Sequence, residues 1–308
     1  MTPSPVVLGL DFGGTKIAVA VGELSGARLG AASVDSLADA GAEAAMERGL
    51  TAGRDLLTTV GEGRELVGVG AATLGIPYDD RVELSPTFPG WDAIPFGNRL
   101  REAFPGIPVR LATDVKAAAA AEFRWGALAG CDPGIYLNLG TGLAVAIVSG
   151  GTVITGAHGA SGEIGYNLRT SGDVWKSDRT ILEDIVSGQA LAATASAELQ
   201  QPLTAADVFA LAKKRPDAAI LTDTFIRELA MHVANLAIAI DPVRIVGGGG
   251  IIGSWPQIAP RLRQALDTAV PFPPELMVAQ FPYDAPLIGA LALGVEAAGA
   301  ALGEEALA

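Results

Sequence analysis

Short apolar runs set off by glycine or proline recur along the chain, rich in β-branched residues and too short for helices, which is the pattern of buried strands. The first two such runs enclose Asp11-Phe12-Gly13-Gly14-Thr15-Lys16 and predict a hairpin that turns at the two glycines. A second pair encloses Asn138-Leu139-Gly140-Thr141-Gly142 and repeats the plan, with Asn138 standing where Asp11 stood and Thr141 where Thr15 stood. Further strands are expected over residues 28–34, 66–72, 109–112, 243–246 and 276–280. Helical composition covers 38–60, 91–104, 115–128 and 255–269, a broken helical region runs from 181 to 240, and a closing helix follows from 286. The segment 84–91, dense in proline and glycine, reads as loop. Strands interleaved with helices place the chain in the α/β class.

Composition narrows the picture. Half of the 308 residues are hydrophobic and 6% aromatic, enough apolar surface to bury a core in one large or two ordinary domains. With 21 basic against 34 acidic residues the net charge is −13, which disfavours a general nucleic-acid surface but leaves room for a locally positive anion site. The single cysteine, Cys131, precludes an internal disulfide and a cysteine-rich zinc site and is expected to be a small buried hydrophobe. The start of the chain lacks a basic region followed by an apolar run, and the late apolar stretch is interrupted by Glu296. A cytoplasmic protein with no membrane segment is therefore expected.

Chemistry gathers at the two turns. A glycine turn exposes backbone N–H groups to an anion, Thr15 adds a donor and Lys16 a positive charge. Asp11, at the end of its strand, can hold a metal ion through water beside bound phosphates. A Walker A loop and a dinucleotide fingerprint are both excluded, because each needs a helix after its glycines and here a strand follows. Either turn alone could be an ordinary hairpin; the repeat suggests two related halves, each offering a turn to a nucleotide triphosphate.

Thr113-Asp114 stands between a strand and an alanine-rich helix. The acid there has two readings, a helix N-cap or a carboxylate that accepts a proton from an alcohol at the carboxyl end of a strand. Trp91 likewise reads as a sugar contact or as a plug over the core. Gly247-Gly248-Gly249-Gly250 after a buried strand can let a flat purine lie against backbone. His158 and His232, the two histidines, fit no catalytic or metal-ligand spacing.

Taken together, these motifs resemble the ROK family of sugar kinases and repressors, within the actin-like, ribonuclease-H-like ATPase superfamily. The pieces that carry the resemblance are Leu10 to Lys16, Thr113-Asp114, Leu139-Gly140-Thr141-Gly142, the run from Gly156 through Glu163 to Gly165, Leu182-Glu183 with Ser187-Gly188, and Gly247 to Gly250. The resemblance implies two lobes with a ligand cleft between them: a small N-terminal α/β domain over 1–114, joined by a closing helix at 286–303, and a large domain over 115–285. It implies ATP with Mg²⁺ as cofactors, Asp114 as general base, and a homodimer. Asp11, Gly13, Gly14, Thr15, Lys16, Gly140, Thr141, Gly142, Gly248 and Gly249 would meet the nucleotide, with Asp11 serving the metal through water. Gly75, Thr87, Thr113, Asp114, Glu163, Tyr166 and Glu183 would meet the sugar, the carboxylates accepting from its hydroxyls.

The departures from the family pattern carry information. Tyr166 takes the position of a zinc-binding histidine, and Val174, Lys176 and Ile181 take those of three cysteines, so no zinc is expected. Thr113 replaces an asparagine, and Thr87-Phe88 an asparagine-leucine pair. These changes point away from plain glucose and toward a modified hexose such as an amino sugar, or a cyclitol. A repressor would need a helix-turn-helix segment ahead of Asp11, and the acidic charge disfavours it. A silent sugar sensor would have no use for Asp114.

Overall fold

The computed structural model describes residues 3–85 and 88–302. The chain divides into two units, Met1–Trp125 with Thr155–Ala160 and Asp284–Ala308, and Gly126–Ile154 with Ser161–Tyr283.

In the first unit a hairpin of β1 (Ser4–Phe12) and β2 (Lys16–Glu23) is extended by β3 (Arg28–Asp35). Helix α1 (Ala42–Val60) returns the chain to β4 (Arg64–Thr73). Two short strands, β5 (Ile76–Pro77) and β6 (Val82–Glu83), form a small separate hairpin just ahead of the segment read as loop. Helix α2 (Phe96–Ala103), β7 (Val109–Thr113) and α3 (Asp114–Trp125) follow. The sheet runs β3-β2-β1-β4-β7, antiparallel through its first three strands and parallel from β1 to β4 to β7. Alternate residues of β1 serve two cores, which explains its near-continuous apolar run. Val6, Leu8, Leu10 and Phe12 pack with the α1 and α2 side, whereas Val7 packs with Leu287, Leu291 and Val295 of the last helix.

Expected helix 91–104 is shorter than its pattern. Pro95 lacks the N–H that a continuous helix needs, so a 3-10 turn over Trp91–Ala93 precedes α2. Trp91 is the plug of the two readings: it is 1% exposed, packed at tilted and edge-on angles among Phe12, Phe88 and Phe96, and its indole N–H donates to Thr73 Oγ1 at 2.8 Å.

The second unit repeats the first. Strands β8 (Gly134–Leu139), β9 (Leu143–Ser149) and β10 (Thr152–Val153) form the antiparallel part. Helices α4 (Gly188–Glu198), α5 (Ala205–Ala212) and α6 (Pro216–Ile240) lead to β11 (Arg244–Gly248), α7 (Trp255–Ala269) and β12 (Glu275–Val278). The sheet order β10-β9-β8-β11-β12 and its mix of strand directions copy the first sheet strand for strand. Cys131 is buried and free.

The last helix, α8 (Ala285–Leu302), packs on the first sheet. It lies so close that a Cβ on Gly70 would stand 1.9 Å from Ala290 O and one on Gly68 2.1 Å from Gly294 O. Adding either methyl would force backbone apart, at a cost of about 1–3 kcal/mol or more. The same helix meets α3 at Gly289, where a Cβ would stand 1.9 Å from Ala117 O. That contact is why the boundary expected at residue 114 falls at 125: α3 stays with the first unit. The two units are also of near-equal length rather than small and large. Among the described residues no helix is long and apolar enough to cross a membrane.

Candidate active site

In the first hairpin Phe12 pairs with Ile17, and Gly13 N–H closes the turn on Lys16 O at 3.1 Å. Neither turn glycine adopts a positive φ; what they contribute is the missing side chain, and Gly14, Thr15 and Lys16 are exposed. Ser36, at the end of β3, donates its hydroxyl to Gly14 O at 2.6 Å and its N–H to Thr15 O at 2.9 Å. Both peptide planes are thereby fixed through their carbonyls. The N–H groups of Gly14 and Thr15 have no acceptor among the described residues.

The carboxyl ends of the three parallel strands of this sheet lie side by side, β1 beside β4 and β4 beside β7, with Thr73 opposite Thr113. That is where ligands bind in open α/β sheets. Asp11 and Asp114 interact there. Burial, then the like charge of Asp114, pushes the Asp11 carboxyl up to about 7, against the opposing pull of Lys16. Burial also raises Asp114, opposed by the Val115 N–H that donates to its Oδ1 at 2.8 Å and by the charge of Lys116. The cap of α3 is supplied by Thr113, whose Oγ1 accepts from Lys116 N–H at 3.2 Å. Asp114 is thus the first helical residue and not the cap, and Thr113, 5% exposed, is engaged in the backbone.

In the second hairpin Gly140 N–H closes the turn on Gly142 O at 3.1 Å. Here the N-terminus of α4, capped by Ser187, does what Ser36 does in the first: Gly188 N–H donates to Gly140 O at 2.8 Å and Gln189 N–H to Thr141 O at 3.3 Å. The N–H groups of Thr141 and Gly142 have no acceptor among the described residues, and Thr141 is exposed. The next N–H, of Leu143, is taken by Glu183 Oε2 at 2.7 Å. Asn138 reaches the neighbouring glycine segment, since a Cβ on Gly249 would stand 2.7 Å from its Oδ1. Only Gly249, at φ 91°, and Gly250 form that turn. Gly248 is taken into β11 opposite Asn138, with the Tyr136 hydroxyl 2.2 Å from where a Cβ would sit.

Glu163 and Tyr166 bracket a 3-10 turn at Ile164–Tyr166. Its approach to β9 depends on Gly162, at φ 87°, whose carbonyl accepts from Val145 N–H at 2.9 Å; a Cβ there would stand 1.9 Å from Val145 O. Burial, then the charges of Glu183 and Glu163, raises the Tyr166 phenol, so it stays a neutral donor and acceptor among two carboxylates. The loop beyond is tied to α6 by Arg169, whose Nε and Nη2 each donate to Glu228 at 3.2 Å, and by Asn167 Nδ2 against His232 Nδ1 at 3.2 Å.

Asp11, Lys16, Gly13, Gly14, Thr15, Thr113 and Asp114 are thus brought to one end of the first sheet. Gly140, Thr141, Gly142, Glu163, Tyr166 and Glu183 gather in the second unit around the other turn. Gly75, at φ 79°, lies against Ser85 and Glu83 in the first unit. Thr87 lies outside the described residues. Ser36, Thr73 and Gln189 were not singled out by the sequence. Gly188, the neighbour of Gln189, was marked by Ser187-Gly188 at a helix start, whereas nothing near Ser36 advertises a partner twenty-two residues away.

Among the described residues no group of three or more His, Cys, Asp or Glu could hold a metal by itself. Asp11 nevertheless suits Mg²⁺, which takes one or two carboxylates, directly or through water, and completes its shell with water and phosphate oxygens. A divalent ion beside Asp11 would offset the repulsion that raises its proton affinity.

The sequence profile described as ROK family matches residues 7–297. The kanosamine kinase of Amycolatopsis mediterranei (strain S699) is 32% identical over 272 residues, which cover 83% of this chain and 84% of that relative. The ROK hexokinase from Thermus thermophilus superposes with a TM-score of 0.80 at 30% identity, over 94% of this chain and 97% of that one. A ROK family glucokinase from Streptomyces griseus, solved in complex with glucose and AMPPNP, gives 0.74 at 26% identity, over 94% and 99% of the two chains. These relatives are sugar kinases, and the fold they share with this chain is the expected actin-like ATPase fold.

Proposed function

The chain belongs to the ROK family, and on that footing we propose that it transfers the γ-phosphate of ATP to a hydroxyl of a hexose or modified hexose, the primary 6-hydroxyl, with Asp114 as general base. The observation that carries this reading is the state of Asp114. Thr113 caps the helix in its place, and of the carboxylate's two oxygens only Oδ1 has a described partner, the Val115 N–H. Burial raises its proton affinity, in the direction a base working near neutral pH requires.

In this reaction Asp114 accepts the hydroxyl proton as the sugar oxygen forms its bond to the γ-phosphorus. The bond from that phosphorus to the bridging oxygen breaks, and ADP leaves. Gly14 and Thr15 in one turn and Thr141 and Gly142 in the other donate N–H groups to phosphate oxygens. Gly13 and Gly140, whose N–H groups close the turns, contribute shape, and Lys16 adds positive charge. Gly248 and Gly249 border the purine. Asp11 would hold Mg²⁺ through water, and the ion would neutralise charge building on the phosphoryl oxygens. Glu163, Tyr166 and Glu183 orient the sugar, with Gly75, Thr87 and Thr113 as further contacts. Phosphoryl transfer depends mainly on positioning and charge stabilisation, which is what these groups can supply.

A second reading of the acceptor, an amino hexose or a cyclitol, is favoured by Tyr166 flanked by two carboxylates and by the likeness to a kanosamine kinase. A coupled ADP-release screen over glucose, mannose, N-acetylated hexoses, amino hexoses and cyclitols separates the readings. Turnover of one hexose class is expected. Binding of a sugar with turnover of none would make the protein a sensor and overturn the proposal.

A further inference from the structure

We propose that Ser36 is a positioning residue for the first phosphate turn, held in place from behind by Arg48. The inference rests on the kinase reading above and extends it to residues that touch neither nucleotide nor sugar. Ser36 is 1% exposed, and its two donors both go to the turn, the hydroxyl to Gly14 O at 2.6 Å and the N–H to Thr15 O at 2.9 Å. One residue therefore holds the carbonyls of both turn residues whose own N–H groups lack a protein acceptor, and the peptide plane fixed through Gly14 O is the one that carries the Thr15 N–H.

The backbone around Ser36 is strained in a way the turn explains. Leu37 adopts φ 47°, ψ 58°, a left-handed conformation that costs a non-glycine residue of order 1–3 kcal/mol and persists only where the surroundings enforce it. Arg48 of α1 supplies that enforcement. Its Nε donates to Asp35 O at 3.2 Å, and its Nη2 donates to Ser36 O and, at 3.4 Å, to Leu37 O. Three consecutive carbonyls gathered by one guanidinium bend the chain so that Ser36 turns inward to the hairpin. The corresponding turn of the second unit is fixed through two successive carbonyls, those of Gly140 and Thr141, by Gly188 and Gln189, so carbonyl capture recurs with unrelated parts. A serine that merely satisfied itself in a loop would need neither the left-handed neighbour nor the guanidinium.

The test is calorimetric titration of wild type, Ser36→Ala and Ser36→Thr with AMPPNP and Mg²⁺, alongside titration with the sugar that the screen identifies. Ser36→Ala is expected to weaken nucleotide binding about tenfold, the loss of one buried hydrogen bond, with sugar affinity unchanged and Ser36→Thr restoring most of it. If Ser36→Ala fails to fold, Arg48→Met carries the test, with an expected two- to fivefold loss for nucleotide alone, on the order of a weaker indirect effect. Nucleotide affinity unchanged in the variant, or nucleotide and sugar affinity falling together with the melting temperature, would overturn the inference while leaving the kinase reading intact. Wild type that binds no nucleotide would overturn both.

Discussion

The two glycine turns share a plan but differ in length, four residues between Phe12 and Ile17 against three between Leu139 and Leu143, and in chemistry. In each, the first glycine N–H closes the hairpin, the next two N–H groups are left without protein acceptors, and two carbonyls are captured from behind. The first turn sits among charges, with Asp11, Lys16 and Asp114 interacting at the strand ends. The second has Asn138 in place of Asp11 and takes its support from a capped helix end. Free N–H donors recur in both copies, whereas the coupled pair of buried aspartates is found at the first and Glu163, Tyr166 and Glu183 stand at the second. On the proposed function, the difference teaches that phosphate cradling is shared by the halves, while the proposed base and metal carboxylates stand at the first.

The comparison can be broken most severely at Asp114. Asp114→Asn should keep the fold, since Thr113 provides the cap, and lose roughly two to four orders of magnitude in kcat; steady-state rates with circular dichroism check both. Near-normal turnover would remove the base from the first half. Next comes Asp11→Asn, which gives the first turn the neutral residue of the second. Activity should fall on the order of a hundredfold if Asp11 serves the metal.

The same variant sharpens the electrostatic half of the comparison through stability. Because Asp11 has its carboxyl raised to about 7 in the fold, the native state keeps a proton between about pH 4 and pH 7 that the unfolded chain has shed. Stability therefore declines as pH rises through that window, and the deficit is complete above it. Asp11→Asn escapes the deficit, so it should be more stable than wild type at pH 8, by up to a few kcal/mol, with the gap closing below pH 4. Denaturant melts at both pH values check this, and a gap independent of pH would show that Asp11 is not destabilised by its surroundings.

Smallest is Gly188→Ala, whose new Cβ would stand 2.6 Å from Gly140 O and push the second turn off its support. Nucleotide affinity should fall several-fold, with a stability loss of about 1 kcal/mol. Set beside Ser36→Ala it forms a matched pair. Comparable losses in both mean that both turns bear phosphate, and a loss confined to Ser36→Ala means that the second is only a hairpin.

Local patterning made most of the architecture legible. Both hairpins, helix α7 and the closing helix follow directly from runs of apolar residues and their glycine and proline stops. Long-range packing was not legible. That α3 belongs to the first unit depends on Gly289 meeting Ala117, a contact between residues far apart in sequence. Gly248 looked like turn by composition, yet the ladder with β8 extends to Asn138 and draws it into β11. At the site, the motif residues were found because chemistry left them in recognisable order. Ser36, Arg48 and Gln189 act through backbone carbonyls, which carry no residue identity, so no motif could announce them. Trp91 had two readings until its indole was seen to reach the buried hydroxyl of Thr73.

The most direct test of the paired-turn account is residue-resolved amide hydrogen exchange with and without saturating AMPPNP and Mg²⁺. Gly14, Thr15, Thr141 and Gly142 should exchange freely in the free protein and slow by about tenfold or more when nucleotide is bound, while Gly13 and Gly140, already bonded within their turns, change little. Bound nucleotide that leaves those four amides unprotected would contradict it.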